Sequence, residues 1–355
     1  MKKIYLYIIT LFSIATIIIL PACSKTSNLI NSDSVIQPPV ITEDTATIYL
    51  AGGCFWGVEG FFQQIPGVLS VESGYANGIG ENPSYYDVLG GDREFAETVK
   101  ITYLPYTVHL EELLLRYFQI IDPLSVNQQG NDIGIQYRTG IYYESEEDLQ
   151  IIKKIYDYES KRLSSLLAVE LEPLKNFYKA EEYHQDYLEK NPKGYCHINL
   201  SDAFLPLFPG PDYVKEDSQT LKDRLGKDAY EVVMEGATEP MFSHEYSKEM
   251  RRGIYVSAVT GIPLFSSSDK FESGCGWPSF TTPITTDILS YLPDSSLGMT
   301  RIEVKDDVYH LGHVFEDGPV ERGALRYCIN GLSLKFIPEE DLDSWGLSDY
   351  KLFIR

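Results

Sequence analysis

The five cysteines constrain this chain most, because their spacing decides which thiol and metal folds are available to it. They are Cys23, Cys54, Cys196, Cys275 and Cys328, and no two of them are separated by only two residues. Neither a thioredoxin-type CxxC motif nor a zinc ribbon built from cysteine pairs is therefore possible. Apart from Cys23, one pair precedes a proline-rich segment near residue 206 and one pair follows it. This division predicts two separate thiol sites.

The first 23 residues are typical of an export signal, with two lysines before the uncharged apolar run 4–20. Ala22 directly precedes Cys23, as in a bacterial lipoprotein cleavage box. We therefore predict a signal over 1–23 and a lipid anchor on Cys23, with an uncleaved membrane span as the alternative. Residues 24–45 are polar and are predicted to be a flexible tether.

Both alternatives place the remaining chain outside the cytoplasmic membrane, tethered to the cell envelope. Thiols tend to be oxidised in such compartments, so static disulfides are the simplest expectation for the other four cysteines. Only their local motifs can favour a catalytic role instead.

Composition bounds the class of protein. Hydrophobic residues make up 43% of the chain and 26 residues are tyrosine, which favours folded domains over disorder. About 310 residues remain after the leader and tether, enough for two domains of ordinary size. The formal charge of −22 would repel the phosphates of a nucleic acid. We therefore expect no nucleic-acid partner.

The first half, 46–200, mixes predicted strands with predicted helices. Residues 46–50 alternate as a strand does, and two glycines separate them from a helical pattern that begins at Phe55. Cys54 should then stand at the helix N-terminus, where the dipole favours thiolate over thiol. A second strand is predicted at 97–103 and a capped helix from Ser145. The fold class of this half is α+β.

A series of motifs in this half resembles methionine sulfoxide reductase A, in that family's order and over nearly the whole half. They are Gly53-Cys54-Phe55-Trp56-Gly57, Gly74-Tyr75, Asn82-Pro83-Ser84-Tyr85, Ala96-Glu97, Gly130-Asn131-Asp132-Ile133-Gly134 with Gln136-Tyr137-Arg138, Ala180-Glu181-Glu182-Tyr183-His184-Gln185 and Gly194-Tyr195-Cys196. The resemblance implies a two-layer α/β sandwich with a ferredoxin-like core. One departure is Phe95, where the family commonly has histidine.

The resemblance also implies roles for these residues. Cys54 would attack the sulfoxide sulfur, and Cys196 would resolve the resulting sulfenic acid to a disulfide. Glu97, Tyr85 and Tyr137 would polarise or protonate the departing oxygen, for which a desolvated carboxylic acid is suited. A static Cys54–Cys196 bridge is the structural alternative.

Three further residues complete the implied first site. Phe55 and Trp56 would form an apolar wall for the substrate methyl group, and Asp132 would support the site through hydrogen bonds. Taken singly, each of these aromatic residues would more often be part of the core than of a methyl pocket.

Residues 201–219 are predicted to be a proline-rich linker, and 220–355 a second domain. A short helix is predicted over 221–225. Beyond residue 249, the runs 253–259, 299–304 and 326–334 are short and apolar or alternating. We therefore predict a mainly antiparallel β domain.

The second half carries motifs that resemble methionine sulfoxide reductase B. They are Ser273-Gly274-Cys275-Gly276-Trp277-Pro278-Ser279-Phe280, His310-Leu311-Gly312-His313-Val314-Phe315 with Asp317-Gly318-Pro319, and Arg326-Tyr327-Cys328-Ile329-Asn330. The resemblance implies that Cys328 is the nucleophile and Cys275 the resolving thiol. The remaining implied roles are proton handling by His310 and His313, thiolate stabilisation by Arg326, methyl binding by Trp277 and Phe315, and positioning by Asn330.

Metal binding is the alternative for His310 and His313, but a Cys₂His₂ site would consume the only nucleophile of the motif. Many relatives of this type hold structural zinc through two CxxC pairs. The corresponding stretches here, 256–259 and 305–309, contain no cysteine. We therefore expect no metal and no other bound cofactor.

Together these motifs predict a fusion that reduces both epimers of methionine sulfoxide in oxidised proteins and peptides, because each epimer needs its own enzyme. By resemblance the first domain takes the S form and the second the R form. Each turnover would end in a disulfide, so a thioredoxin-like reductant is the expected partner. The alternatives are a disulfide-stapled surface lipoprotein without activity and a thiol peroxidase.

Overall fold

The computed structural model of the protein describes residues 44–211 and 213–355. The predicted signal, Cys23 and nearly all of the predicted tether lie outside these residues. Among the helices that are described, none is both long and apolar enough to cross a membrane. The described residues belong to one compact unit.

A six-stranded sheet forms the centre of the first half, with the strand order β7-β6-β1-β3-β2-β8. Its described neighbours pair antiparallel, except β6 and β7, which run parallel. Two further short strands, β4 and β5, pair with each other. The strands are β1 Ala46–Gly52, β2 Val68–Ala76, β3 Ala96–Tyr103, β4 Gln128–Gln129, β5 Asp132–Ile133, β6 Thr139–Tyr143, β7 Glu170–Pro173 and β8 Phe177–Lys179.

Five helices accompany this sheet: α1 Phe55–Phe62, α2 Tyr85–Gly90, α3 Leu110–Ile120, α4 Glu146–Leu163 and α5 Tyr187–Lys190. As predicted, α1 follows β1 directly, and Ser145 caps α4 by accepting a hydrogen bond from the amide of Asp148. The α+β class predicted for this half is confirmed.

The second half begins with two helices, α6 Ser218–Leu225 and α7 Lys227–Glu235. Two antiparallel sheets follow, in the orders β10-β9-β17 and β11-β12-β16-β15-β14-β13, which confirms the mainly antiparallel prediction. The strands are β9 Gly253–Ser257, β10 Pro263–Ser266, β11 Lys270–Phe271, β12 Ser279–Phe280, β13 Ser290–Asp294, β14 Arg301–Asp306, β15 Tyr309–Phe315, β16 Arg326–Ile329 and β17 Leu334–Pro338.

The run 326–334, predicted as one strand, is divided between the two sheets. β16 ends at Ile329, a single 3₁₀ turn covers Gly331–Ser333, and β17 belongs to the other sheet. Asn330 fixes this change of direction, because its side-chain amide donates to the carbonyl of Leu311 while its oxygen accepts from the amide of Glu239. The Asn330-Gly331 dipeptide within this run is itself a turn signal, which the prediction of one strand did not use.

The two halves share buried contacts. One apolar cluster joins Leu113 and Ile152 of the first half to Ile254 and Phe353 of the second. In the segment predicted as a linker, Phe208 is buried and its ring packs edge-on against Tyr350. The exact linker and domain boundaries stay a prediction, but these contacts hold the halves together.

Polar groups are buried in the same interface. Glu112 and Arg116 of α3 are both fully buried and form an i, i+4 ion pair at 2.9 Å. Glu112 also accepts hydrogen bonds from the amide and hydroxyl of Thr286, at 3.0 and 2.8 Å. Arg116 donates to the carbonyls of Ala203 and Leu205. A paired and hydrogen-bonded charge of this kind is costly to disrupt from either side.

Candidate active sites

Cys54 lies at the junction of β1 and α1, where it is the N-cap residue of the helix. Gly53 precedes it with a positive φ of 85°, and a Cβ there would stand 2.5 Å from the side chain of Gln129. Only glycine fits this turn. The local sequence thus presents Cys54 at the helix end, as predicted.

Two opposing effects act on the pKa of the Cys54 thiol. Burial, followed by the charge of Glu97, raises the pKa of the Cys54 thiol, and a hydrogen bond from the amide of Trp56 opposes this only partly. The helix end therefore acts in the predicted direction but is outweighed by desolvation. Cys54 rests as a thiol.

Glu97 is buried beneath the start of α1. Its Oε2 atom accepts a hydrogen bond of 3.1 Å from the amide of Phe55, and the side chain is only 2% exposed. Burial raises the pKa of Glu97 to about 8, with a smaller contribution from the charge of Asp132. Most of this carboxyl is therefore protonated at neutral pH and can give a proton to an oxygen atom, as the sequence predicted.

Tyr85, Tyr137 and Asp132 lie close to the same two groups. Burial raises the pKa of Tyr85 to about 12 and also raises that of Tyr137, and in both cases the charge of Glu97 adds to the effect. Both hydroxyls therefore remain protonated hydrogen-bond donors. The structure brings together every polar residue predicted for the first site.

The two predicted aromatic residues differ in position. Trp56 is partly exposed, stacks on Tyr187 with 3.7 Å between ring centroids, and donates from its indole nitrogen to Nδ1 of His184 at 3.1 Å. Phe55 is almost fully buried, behind Trp56 and against Tyr75. Trp56 can therefore form the surface of a methyl pocket, whereas Phe55 supports it from the core.

Two residues that shape this site, Glu181 and His184, were given no role from the sequence, although both belong to the motif at 180–185. His184 holds the Trp56 indole, and burial lowers its pKa, so the ring is neutral. Glu181 accepts hydrogen bonds from the hydroxyl of Tyr75 and the amide of Tyr85, at 2.8 and 3.0 Å. The polar character of 180–185 was the available signal.

Cys196 faces the same helix as Cys54. Its sulfur donates to the carbonyl of Ile198, and a Cβ added at Gly57 of α1 would lie 3.1 Å from it. Both cysteines are free thiols in this structure. The proximity fits the implied resolving role, and Gly57 leaves the space that the second sulfur occupies.

In the second half, Cys275 and Cys328 are free thiols with their sulfur atoms 3.7 Å apart. Cys328 belongs to β16 and is paired in register with Ser279 of β12. The hydroxyls of Ser273 and Ser279 contact the Cys275 sulfur at 3.0 and 3.4 Å. The two thiols are thus positioned to form a disulfide after a small movement.

The two sulfurs are within hydrogen-bond distance of each other. The hydrogen bond from Cys328, together with those from the serines, lowers the pKa of Cys275 to about 4. The same hydrogen bond and burial raise the pKa of Cys328. Arg326 acts on Cys328 in the predicted direction, but the effects of Cys275 and of burial are larger.

Access nevertheless distinguishes the two sulfurs. A cavity of about 100 Å³ is lined by Cys328 but not by Cys275. Its remaining lining residues are Thr238, Trp277, Arg301, Gly312, His313, Phe315 and Asn330. A substrate entering this cavity would meet Cys328 first, with Trp277 and Phe315 available for its methyl group.

Carboxylates orient the two predicted histidines. Nε2 of His313 donates to Asp294 and Nδ1 of His310 to Glu303, each at 2.7 Å, because a carboxylate can only accept. Burial lowers the pKa of His313, so its neutral ring offers Nδ1 as an acceptor. His310 does not line the cavity, and its Nε2 atom is buried without a partner. Only His313 therefore faces a substrate in this state.

Asn330 and Arg326 support the site from its edge. Asn330 lines the cavity while its amide makes the two hydrogen bonds that turn the chain after β16. Arg326 is held by Asp317 at 2.8 Å and lies over the Phe315 ring. Arg301 was missed by sequence reasoning, although its alternation with Glu303 along β14 placed both on one face of the strand.

Two family models match this chain. The model described as peptide methionine sulfoxide reductase matches residues 46–206, and the SelR domain matches 225–338.

The first half of the chain is also similar to solved structures. Mxr1 from Saccharomyces cerevisiae in reduced form is 40% identical over 44% of this chain and 92% of its own, with a TM-score of 0.42. Methionine sulfoxide reductase A of Corynebacterium diphtheriae is 35% identical over 44% and 79%, with a TM-score of 0.42. Mxr1 in complex with Trx2 is 28% identical over 42% and 89%, with a TM-score of 0.30.

The two family models together span most of the described residues, and each contains one of the two thiol pairs. The chain therefore belongs to the peptide methionine sulfoxide reductases and joins an A-type domain, which reduces methionine-S-sulfoxide, to a SelR domain of the B type, which reduces methionine-R-sulfoxide.

Proposed function

We propose that this reductase repairs oxidised methionine in exported proteins through two thiol–disulfide cycles, Cys54–Cys196 and Cys275–Cys328, from a lipid anchor at the cell envelope. The observation that carries the two cycles is the pairing of free thiols, with Cys275 and Cys328 only 3.7 Å apart. A purely structural disulfide would require neither the proton donors nor the cavity that lie beside these sulfurs.

In the first cycle, the Cys54 sulfur attacks the sulfoxide sulfur while Glu97 protonates the sulfoxide oxygen, and the thiol proton of Cys54 returns Glu97 to its acid form. The bond between the substrate sulfur and oxygen breaks as the oxygen moves to Cys54. The product methionine leaves, and the oxygen remains on Cys54 as a sulfenic acid. Cys196 then attacks that sulfur, and the oxygen departs as water. Two thiols are oxidised to one disulfide for each sulfoxide reduced. The pKa of about 8 for Glu97 supports its part in this sequence.

In the second cycle, Cys328 plays the part of Cys54 and Cys275 the part of Cys196, with the same balance of atoms and electrons. The thiol proton between the two sulfurs supplies one of the two protons that the oxygen needs to leave as water. His313, which lines the cavity, relays the second proton from solvent through Nδ1. Arg326 stabilises negative charge on the sulfur pair.

Each disulfide must be reduced before another turnover, which requires a dithiol such as a thioredoxin-like protein. One similar structure, Mxr1, is a complex with Trx2. No residue of this chain forms a CxxC motif that could serve instead.

The anchor rests on the sequence of the leader. Ala22-Cys23 at the end of an apolar run supports cleavage before Cys23 and lipidation of its sulfur. Mass spectrometry of the N-terminal peptide from bacterial membranes tests this. A diacylglyceryl group on Cys23 is the expected result, and an intact Met1 peptide from a membrane-bound chain would contradict it.

An assay with dithiothreitol and a racemic methionine sulfoxide peptide tests the function. The wild-type protein should consume both epimers, Cys54→Ser only the R form and Cys328→Ser only the S form. Failure to reduce either epimer would overturn the proposal. Consumption of hydrogen peroxide without sulfoxide reduction would indicate a thiol peroxidase.

A further inference from the structure

The ionisable side chains that act most on the Cys54 sulfur are both acidic, Glu97 and Asp132. The buried Glu97 is mostly protonated at neutral pH, so Asp132 is the carboxylate of the pair. Asp132 faces His197 at 3.7 Å, and its Oδ2 atom is buried without a hydrogen-bond partner. Burial lowers the pKa of His197, so this ring is uncharged. Among the described residues, Asp132 has no lysine or arginine within ion-pair distance.

The approach to this site combines carboxylates with exposed aromatic rings. Glu181 is held by the Tyr75 hydroxyl and the Tyr85 amide rather than by a cation. Tyr86 and Tyr183 are 82% and 59% exposed, and each is one ring removed from the contact between Tyr85 and His184. Aromatic faces beside carboxylates are a favourable setting for lysine and arginine side chains.

The neighbouring loop strengthens this charge. Segment 81–94 holds Glu81, Asp87, Asp92 and Glu94 but only one cation, Arg93, which is bound to Asp87 at 3.4 Å. Glu182 is 83% exposed, with Lys190 at 3.5 Å as its nearest cation. The first site is thus bordered by more negative than positive charge.

The second site is balanced instead. Asp294 is paired with Arg301 at 2.6 Å, Asp317 with Arg326 at 2.8 Å, and Glu303 with Lys305 at 3.5 Å. Two of these cations, Arg301 and Arg326, lie in or beside the cavity of Cys328. Each of these three carboxylates beside the second site thus has a cation as its partner, unlike Asp132 at the first site.

We propose that the Cys54 site preferentially takes methionine-S-sulfoxide flanked by lysine or arginine, whereas the Cys328 site does not share this preference. The inference rests on the proposed function. One chain would then sort its clients by sequence context as well as by sulfoxide chirality, with basic segments bound across Tyr86, Tyr183 and the carboxylates at the first site. Attraction of this kind raises the association rate and weakens as salt screens it.

Matched sulfoxide peptides test the proposal. Peptides with two lysines, two glutamines or two glutamates on each side of the sulfoxide are assayed with dithiothreitol at about 20 mM and about 300 mM salt. Cys328→Ser reports the first site and Cys54→Ser the second. At low salt we expect kcat/KM for the S epimer to be about tenfold or more higher with lysine than with glutamate. For the R epimer the ratio should stay within about threefold, and the S-epimer preference should shrink at high salt.

Glu182→Lys, made in the Cys328→Ser background, tests the location of the effect. It should lower the lysine preference of the S epimer by about threefold or more. Asp157→Lys, on the exposed side of α4, changes the net charge of the chain by the same amount and should leave the preference unaltered.

Two outcomes would overturn the inference. Equal lysine preferences for both epimers would show that the charge of the whole molecule attracts the peptides, and loss of preference in Asp157→Lys would show the same. If neither epimer is reduced in any peptide, the proposed function itself fails, which is a distinguishable result.

Discussion

At the residue scale, Glu97 and Asp294 show how burial and hydrogen-bond partners set the pKa of a carboxyl group and therefore its role. Glu97 has only an amide partner and is desolvated, so its pKa rises to about 8. Asp294 accepts from the Ser296 amide and from His313, and its pKa falls below the usual range. Glu97 is therefore an acid at neutral pH, while Asp294 is a fixed anion that orients a histidine.

The pKa of Glu97 predicts the pH dependence of the first site. Because the proton is present below about pH 8 and lost above it, kcat for the S epimer should fall as pH rises through 8. Glu97→Gln should lower kcat by about 10²–10⁴-fold and remove this descending limb. The measurement is a pH–rate profile in the Cys328→Ser background. R-epimer turnover by Cys54→Ser with and without Glu97→Gln is the control. A descending limb that persists in Glu97→Gln would contradict the assignment.

At the element scale, α1 organises the whole first site. Its N-terminus carries Cys54, its first turn supplies Trp56, and the missing side chain of Gly57 leaves room for the Cys196 sulfur. The helix is short and its two glycines weaken its intrinsic stability. The space left by the absent side chain of Gly57 thus serves the thiol pair rather than the stability of the helix.

Gly57→Ala should separate the two chemical steps. The added Cβ would stand 3.1 Å from both Cys196 Sγ and Ile198 Cδ1, so the second thiol must move. Overpacking costs on the order of 1–3 kcal/mol, so we expect disulfide formation to slow by about tenfold or more, while the first methionine is still released. Quenched single-turnover reactions with thiol alkylation measure both steps.

Gly60→Ala is the matched control, because its Cβ would meet only leucine side chains at 3.3 Å or more. It should form the disulfide at the wild-type rate. Equal rates in Gly57→Ala and Gly60→Ala would show that Cys196 does not resolve from the position seen here.

At the scale of the whole molecule, the two domains are joined through α3. The buried pair Glu112–Arg116 and its bonds to Thr286 make the first domain depend on the second. The backbone carbonyls of Ala203 and Leu205 bind the same arginine, so the segment between the domains is part of the contact. We expect the two domains to unfold together.

Removing one member of this pair leaves the other buried and unpaired. Glu112→Ala should therefore destabilise the protein by about 3–5 kcal/mol. Glu172→Ala, which removes a surface pair with Lys175, should change stability by no more than about 1 kcal/mol. Urea unfolding followed by S- and R-epimer activity measures both effects. Separate midpoints for the two activities would contradict a coupled unit.

The sequence predicted the parts of each site that lie close together along the chain. A strand, two glycines and a helical pattern were sufficient to place Cys54 at a helix end. The order of the motifs along the chain was sufficient to predict that Glu97, Tyr85 and Tyr137 lie near Cys54. The antiparallel texture of the second half followed from its short alternating runs.

The remainder depends on groups that are distant in sequence. In the sequence, Glu112 and Arg116 have the i, i+4 spacing of an ordinary surface ion pair. In the structure the pair is buried, and Thr286, which is 174 residues from Glu112, donates a hydrogen bond to it. The resting protonation of Cys54 and Cys328 depends on desolvation and on a neighbouring thiol, which no local motif reports. Asn330-Gly331 signals a turn after β16, but the change to the other sheet depends on the distant partners of Asn330, Leu311 and Glu239.

The central claim is that one chain runs two independent thiol cycles. Its most direct test is disulfide mapping after the reduced protein, without added reductant, meets an excess of racemic methionine sulfoxide peptide. We predict two methionines released per chain and two disulfides, Cys54–Cys196 and Cys275–Cys328. Cys54→Ser should retain only the second disulfide and Cys328→Ser only the first. A disulfide that joins the two pairs, or release of a single methionine per chain, would contradict the account.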